Sequence, residues 1–472
     1  MEVPEILKKL EADWKPEYFK NLNGEAFITL EKSGADLTFD VTSGKFENFL
    51  RGHAYKNYEI VLSDSKTEKL LTIIRSKSLF EDMQKEVAVR CGWSQDRQTI
   101  YHDLGDQYVQ IDRYGWSIVK KAPIPFVRYG FLGKQVKPEK IGDLTDVLPF
   151  FNLSSEDDKL LLLVFIVSCF IPDIPHPVLA IHGIQGSAKT TALRFLLSLV
   201  DPSPVADTQT LSMQDFLQTV SHRWVTPLDN QTNLSTDYSD LLCKVVTGTG
   251  FAKRMLYTNN DDFIQHIQRI VILNGISLPI SKSDILDRCL ILELERIKDC
   301  DRRDEADLKN EFEQLKPKIL GACFHILSLA ISHKSEIRLC QKPRLADFAI
   351  WGCAIAKALG LPQEKFIDAF NLNVKRQHQE AIAASPLADA VYSFMIERKD
   401  EYNSTMTEAL NDITRHAINR GQNYRSLPQS TRSFGKKIKE LTTNLQSVHL
   451  IVERKRTTTR NIRIFWENGA PS

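Results

Sequence analysis

The sequence has little that would tie the chain to a membrane, an oxidising compartment or a partner of one charge. Its one strongly apolar segment, Leu160 to Ile171, runs for about twelve residues, is interrupted by Ser168 and is closed by Pro172, too short to span a bilayer. Eight cysteines include no CxxC pair, and several sit inside apolar runs, so they read as reduced core residues. The first twenty residues lack a basic start followed by an apolar stretch, so no secretory signal is expected and the expected location is the cytoplasm, with no membrane partner. Formal net charge is only +1 with 26% charged residues, which means that any basic surface must be local. No fixed-period repeat or low-complexity tract is present.

At 472 residues the chain exceeds what one hydrophobic core usually supports, and two to four domains are expected. Residues 1–66 show short mixed patterns, with turn signals at Asn23-Gly24 and Ser33-Gly34 around a strand-like AFITL. Residues 67–150 read as a small β-rich module and linker: runs at Thr99–His102, Tyr108–Ile111 and Trp116–Val119 are separated by Gly105-Asp106 and Tyr114-Gly115, and Pro123, Pro125, Pro138 and Pro149 follow. Neither part holds a recognisable catalytic cluster. The apolar segment after it reads as a buried helix, because Ser154, Ser155, Glu156, Asp157 and Asp158 supply caps and an acidic first turn.

The middle third carries chemistry. Pro177–His182 is a short buried strand that leads directly into Gly183-Ile184-Gln185-Gly186-Ser187-Ala188-Lys189-Thr190, followed by a helical pattern from Thr191 to Val200. Strand, glycine loop and helix in that order form a P-loop, since loop N–H groups and a helix N-terminus must face the phosphates. Lys189 would reach the β and γ phosphates of ATP, and Thr190 would offer its hydroxyl to Mg²⁺. Gly183, Gly186, Ser187, Ala188 and Thr191 complete the cradle. Ala188 replaces the usual second glycine, and alanine is expected to take the helical dihedrals of a helix start.

Downstream, Arg223–Asn230 offers Asp229 as the second carboxylate of the Mg²⁺ shell. Pro227 removes a ladder donor there, which is awkward for a central strand. Asn230 stands where many ATPases place the glutamate that orients water, so the general base is open. Asp237 and Asp240 read as solvated or capping residues. Arg269–Gly275 is a further buried strand ending in Asn274, which either holds the attacking water or γ-phosphate or forms an Asn-Gly turn. Arg288, just before a last apolar strand, reads either as an arginine finger toward a neighbouring subunit or as the ion-pair partner of Asp284 or Asp287.

These pieces, as HGIQGSAKTT, PLDNQ, SDLLCKVVTGTGFAKRMLYTNNDD, RIVILNGI and DILDRCLIL with PRLADFAIW later, resemble the AAA+ core of superfamily 3 helicases. They are similar also to the helicase domains of phage and plasmid primase-helicases and to mobile-element ATP-binding proteins. The resemblance covers roughly residues 100–380. It implies that Lys189 and Thr190 belong to Walker A, Asp229 to Walker B and Asn274 to sensor 1. It places a channel hairpin over 247–260, with Lys253 and Arg254 on DNA; Arg254 reads alternatively as an intersubunit nucleotide contact, and both as an ordinary basic tip. Arg344, opening a helix, resembles a sensor 2 arginine of the minichromosome maintenance type, or else is a surface arginine.

The fold expected is thus α/β: an AAA+ core with a parallel sheet over 151–335, a helical lid over 336–385 and a winged helix over 386–472. In the last, helices over 387–396, 405–418 and 430–445 precede strands over 448–452 and 462–466. Arg425, Arg432, Lys436, Lys437, Lys439, Arg454, Lys455, Arg456, Arg460 and Arg463 face only Glu440 and Glu453, an electrostatic footprint for phosphate backbones or a solvated face. Lys436, Lys437, Arg454 and Arg456 are the named DNA contacts. The resemblance implies a hexameric, Mg²⁺- and ATP-dependent helicase or translocase on single-stranded or forked DNA, replicating a mobile element alongside a separate primase or polymerase. Two other readings stand beside it: a non-unwinding AAA+ regulator or defence ATPase, which Asn230 favours, and an RNA-directed ATPase.

Overall fold

The computed structural model of the chain describes residues 2–32, 35–80, 82–205, 212–231, 234–254, 262–265, 267–275, 283–339, 342–456, 460–467 and 469. The first unit packs α1 (Val3–Trp14), α2 (Gly44–Tyr58) and α3 (Asp64–Phe80) on an antiparallel sheet of β1 (Glu17–Lys20), β2 (Ala26–Lys32) and β3 (Ala35–Asp40). Its core is separate and small, built on Ile6, Leu10, Trp14, Leu30, Phe46, Leu50, Leu70 and Ile74. The α3 helix runs through 67–80, where the sequence reads as strand-like, because Leu70 and Ile74 recur at helical spacing.

A four-stranded antiparallel meander follows: β4 (Cys91–Trp93), β5 (Ile100–Asp103), β6 (Tyr108–Asp112) and β7 (Gly115–Val119). Its inner residues Ile100, Val109, Ile111 and Trp116 do not form a core of their own but join the large central one. A wholly buried ion pair reinforces that junction. Arg90 Nε lies 2.8 Å from Asp201 Oδ1, and Asp201 Oδ2 accepts the backbone N–H groups of Trp224 at 3.1 Å and Val225 at 3.0 Å.

The central unit is a parallel sheet in the order β13 (Cys289–Glu293), β8 (Val178–His182), β12 (Ile270–Gly275) and β9 (Val225–Leu228). Around it lie α4 (Glu156–Ser168), α5 (Lys189–Val200), α6 (Met213–His222), α7 (Thr236–Thr247) and the short α8 (Ser283–Leu286). The β10 (Phe251–Arg254) and β11 (Asp262–Gln265) strands form a separate antiparallel pair. Each strand of the parallel sheet is mostly apolar and buried almost end to end, as a strand covered on both faces requires. Among the described residues Pro227 sits on β9, at the end of the strand order, so its missing N–H interrupts no ladder between described strands. The apolar α4 is buried on all sides, with Ser155 as its N-cap.

The α9 helix (Glu305–His333) is long and apolar enough to cross a membrane by length and composition. Its apolar residues Phe312, Ile319, Phe324 and Leu327 are instead buried in the central core. The α10 (Ala346–Ala358) and α11 (Gln363–Ala384) helices pack on α4. The α11 helix falls within the helical lid expected over 336–385, and it also covers the β13 edge of the sheet: Asn373 bonds both backbone groups of Ile291 at 2.6 and 2.9 Å, and Gln377 Nε2 donates to Cys289 O at 2.9 Å.

The C-terminal unit has its own core. It comprises α12 (Pro386–Arg398), β14 (Tyr402–Thr405), α13 (Met406–Asn419), α14 (Thr431–Ser447), β15 (Leu450–Arg456) and β16 (Arg460–Trp466). The sequence predicts a two-stranded hairpin here, and the structure adds β14, paired antiparallel with β16.

Candidate functional site

Three strand ends of the parallel sheet converge on one place. The β8 strand delivers the glycine loop, β9 delivers Asp229 and β12 delivers Asn274, all at their C-terminal ends, where ligands of open α/β sheets bind.

The loop is tightly constrained. Gly183 has φ +152°, and a Cβ there would stand 2.4 Å from the backbone oxygen of Leu294, so only glycine fits. Gly186 has φ +87°. Ala188 does not take helical dihedrals as expected: it lies in the left-handed region, φ +58° and ψ 31°, because the chain must reverse before α5 begins at Lys189. For an L-residue that costs about 1–2 kcal/mol. Ser187 is buried and its hydroxyl donates to Ile184 O at 2.9 Å. Lys189 Nζ donates to Gly183 O at 2.7 Å and Ile184 O at 3.0 Å, and burial lowers its pKa. Thr191 follows, half-buried, in the first turn of α5.

Thr190 Oγ1 donates to Asp229 Oδ1 at 3.2 Å. That juxtaposition joins a hydroxyl from the first turn of α5 and a carboxylate from the end of β9, a pair of hard oxygen donors. Asn230 is exposed with φ +52°, and its backbone N–H donates to Asn274 Oδ1 at 2.6 Å. Asn274 O accepts from Gln231 N at 2.8 Å, and Gln231 Nε2 in turn donates to Asp229 O at 2.8 Å. Asn274 is buried, and its Nδ2 has no hydrogen-bond partner among the described residues. Gln231 is the member of this group that the sequence reading missed; its contact with Asp229 is local, whereas its backbone bond to Asn274 depends on the neighbouring strand.

Arg288 and Arg344 lie in a second cluster. Arg288 Nη1 is 2.8 Å from Asp284 Oδ2, and Arg344 Nη2 pairs with Asp284 Oδ1 while its Nη1 is 3.5 Å from Asp287 Oδ2. Neither pairs with the Thr190–Asp229–Asn274 group. Burial raises the Asp284 carboxyl, but hydrogen bonds from Arg288 and Cys243 and the charges of both arginines outweigh it, so it titrates below its usual range. Arg344 does not open a helix as predicted; it lies in the turn two residues before α10, which starts at Ala346. Asp237 stands in the first turn of α7, behind the Ser235 N-cap.

Lys253 and Arg254 occupy β10, opposite Phe263 and Asp262 of β11; the tip between the strands lies outside the described residues. The basic C-terminal residues do form a feature: a groove of about 760 Å³ between α14 and the β15–β16 hairpin, walled by Arg432, Lys436, Lys439, Arg454, Lys455 and Arg460. Arg454 Nη1 is pinned to Gly435 O at 2.9 Å. Lys437, named from the sequence, is exposed but not part of that wall, since 432, 436 and 439 share a helix face that 437 leaves. Arg463 leaves the patch too, bound to Glu401 and Glu453. The side chain of Arg456 lies outside the described residues.

The comparisons with known proteins agree with a replication role. A family model described as the actinomycete integrative conjugative element replication protein matches residues 144–371. A second, described as the AICE RepA C-terminal domain, matches 387–471. No curated protein matches the chain in sequence. Among solved structures, an A-form apo structure of the NrS-1 C-terminal region is similar at 10% identity and TM-score 0.40, covering 98% of each chain. Another apo structure of that region has 10% identity and TM-score 0.41, again over 98% of each chain, a likeness too weak to fix a common fold. With both parts of one replication-protein family matched in order along it, this chain is a replication protein of a mobile element.

Proposed function

We propose that the chain is a P-loop ATPase of the AAA+ type that drives a DNA helicase or translocase during replication of its mobile element. The observation that carries this reading is the convergence of Lys189 and Thr190 with Asp229 and Asn274 at three adjacent strand ends. The strand order, with the loop-bearing β8 flanked by β13 and β12, supports it.

In this reading Lys189 and the loop N–H groups hold the β and γ phosphates of ATP. Thr190 and Asp229 fit Mg²⁺ as hard oxygen donors, and bound there the ion would neutralise phosphate charge. The buried, unpartnered Nδ2 of Asn274 supplies a fixed donor for a γ-phosphate oxygen or the attacking water. Hydrolysis gives ADP and inorganic phosphate. Copies of the chain assemble as a ring, hexameric by the resemblance, so that Arg288 and Arg344 serve the nucleotide of a neighbour, and Lys253 and Arg254 project toward single-stranded DNA. The groove between α14 and β15–β16, a winged-helix surface, engages DNA outside the ring.

Purified protein should hydrolyse ATP with stimulation by single-stranded DNA, and Lys189→Ala should abolish turnover; turnover unchanged in that variant would sink the assignment. A second reading, an AAA+ switch that uses ATP to control assembly without unwinding, is favoured by Asn230 in the glutamate position. Strand displacement on a forked duplex separates the two: ATP-driven oligomerisation without displacement selects the switch.

A further inference from the structure

Arg288 and Arg344 come from different parts of the chain, the turn before β13 and the segment before α10, yet they meet on one carboxylate. Arg288 Nη1 contacts Asp284 Oδ2 at 2.8 Å and donates to the Asp284 backbone oxygen at 2.6 Å, while Arg344 Nη2 takes the other carboxylate oxygen. Asp287 backs the pair: one of its oxygens is 3.5 Å from Arg344 Nη1, and the other is 2.9 Å from Nε2 of His378 on α11. Asp284 therefore joins the edge of the sheet to the helices that pack beside it.

The arrangement is incomplete in one respect. Among the described residues, all polar contacts of the Arg288 side chain use Nη1, the remaining one being Cys243 Sγ at 3.8 Å, and its Nε is buried with no hydrogen-bond partner. A guanidinium held at one corner, with its other donor edge unanswered, fits an oxyanion that arrives later, and a phosphate matches that fork. The arginine side chain of 344 is half-exposed beside it.

We propose that Asp284 is a positioning residue that gathers Arg288 and Arg344 into a single two-arginine seat for the phosphates of a nucleotide bound by the adjacent copy of the chain. The inference rests on the reading of Arg288 as acting on a neighbour's nucleotide. Each Asp284 oxygen fixes one arginine, which sets their spacing and couples α10 to the edge of the sheet. Asp284 itself touches no nucleotide.

The test uses the full chain with single-stranded DNA and a series of ATP concentrations. Asp284→Asn is expected to lower kcat about tenfold with KM within about twofold and an unchanged melting midpoint, since the loss falls on the transition state rather than on substrate binding. Asp284→Glu, which keeps the charge, should recover part of the rate even if Asp284→Asn melts early. Doping wild-type protein with Lys189→Ala chains that also carry Asp284→Asn should depress turnover more steeply than doping with Lys189→Ala alone. Equal depression, a wild-type kcat in Asp284→Asn, or a change confined to KM overturns the proposal. Wild-type turnover in Arg288→Ala would instead overturn the neighbour-acting role on which it rests.

Discussion

The carbonyl oxygen of the Asn274 side chain takes the backbone N–H of Asn230 at 2.6 Å, so the end of β12 fixes the residue that follows Asp229. Asn230 is held there at φ +52°, a region that asparagine adopts at lower cost than glutamate. The backbone at the glutamate position thus favours asparagine. Asn230→Glu is expected to leave ATP turnover no higher and to destabilise the fold by about 1 kcal/mol in urea unfolding. Asn274→Asp keeps the acceptor for Asn230 and removes the unpartnered donor, and kcat should fall roughly a hundredfold with KM little changed. An undiminished kcat would mean that Nδ2 meets no reacting atom.

Ala188 carries a strain that glycine would not. Relief of the left-handed conformation outweighs the extra freedom that glycine gives the unfolded chain, so Ala188→Gly should stabilise the protein by about 0.5–1 kcal/mol. The shift in urea midpoint at constant slope measures it, and a lower midpoint would contradict the strained geometry.

The C-terminal groove separates lysines one residue apart. Replacing Lys436, Lys439 and Arg454 with alanine should weaken duplex binding and flatten the dependence of log K on log salt by about 0.9 for each phosphate no longer neutralised. Lys437→Ala, off the groove wall, should change both far less. Equal effects from 436 and 437 would show that binding follows total charge and not the groove.

Acid should loosen the core through buried imidazoles. Burial lowers His176 to about 4, and lowers His102 well below its ordinary value, so the folded state prefers both rings neutral. Their folded pKa values lie beneath the unfolded value near 6.5, so this stability is complete above about pH 6.5 and drains away as pH falls toward 4. For His176 the loss amounts to about 3 kcal/mol. Urea midpoints across that window should fall, and His176→Gln should lessen the slope; a flat profile in the wild type would contradict it.

Local sequence was a good guide where one element carries its own signal. The glycine loop, the run ending at Asn274, the buried α4 and the order of helices in the C-terminal unit are all written in contiguous residues. What it missed depends on neighbours. Pro227 looks wrong for a strand until that strand proves to be the last in the order of the described strands. The amides of Asn373 and Gln377 look like a polar helix face, yet they satisfy the β13 backbone. Ala188 has no local mark of positive φ, and no run of sequence tells that Arg344 shares a carboxylate with Arg288 across some sixty residues. Lys437 was chosen by proximity in sequence, whereas the groove selects by helix face.

The buried pair of Arg90 and Asp201 has a consequence for how such a protein can evolve. Asp201 also fastens the first two N–H groups at the start of β9, the strand that ends in Asp229. Deleting residues 88–120 would leave that carboxylate without its counter-charge in a dry interior and would loosen the strand it anchors. The meander is thus part of the chassis of the sheet, and recombination between mobile elements could exchange the C-terminal unit, with its separate core, far more readily than this one.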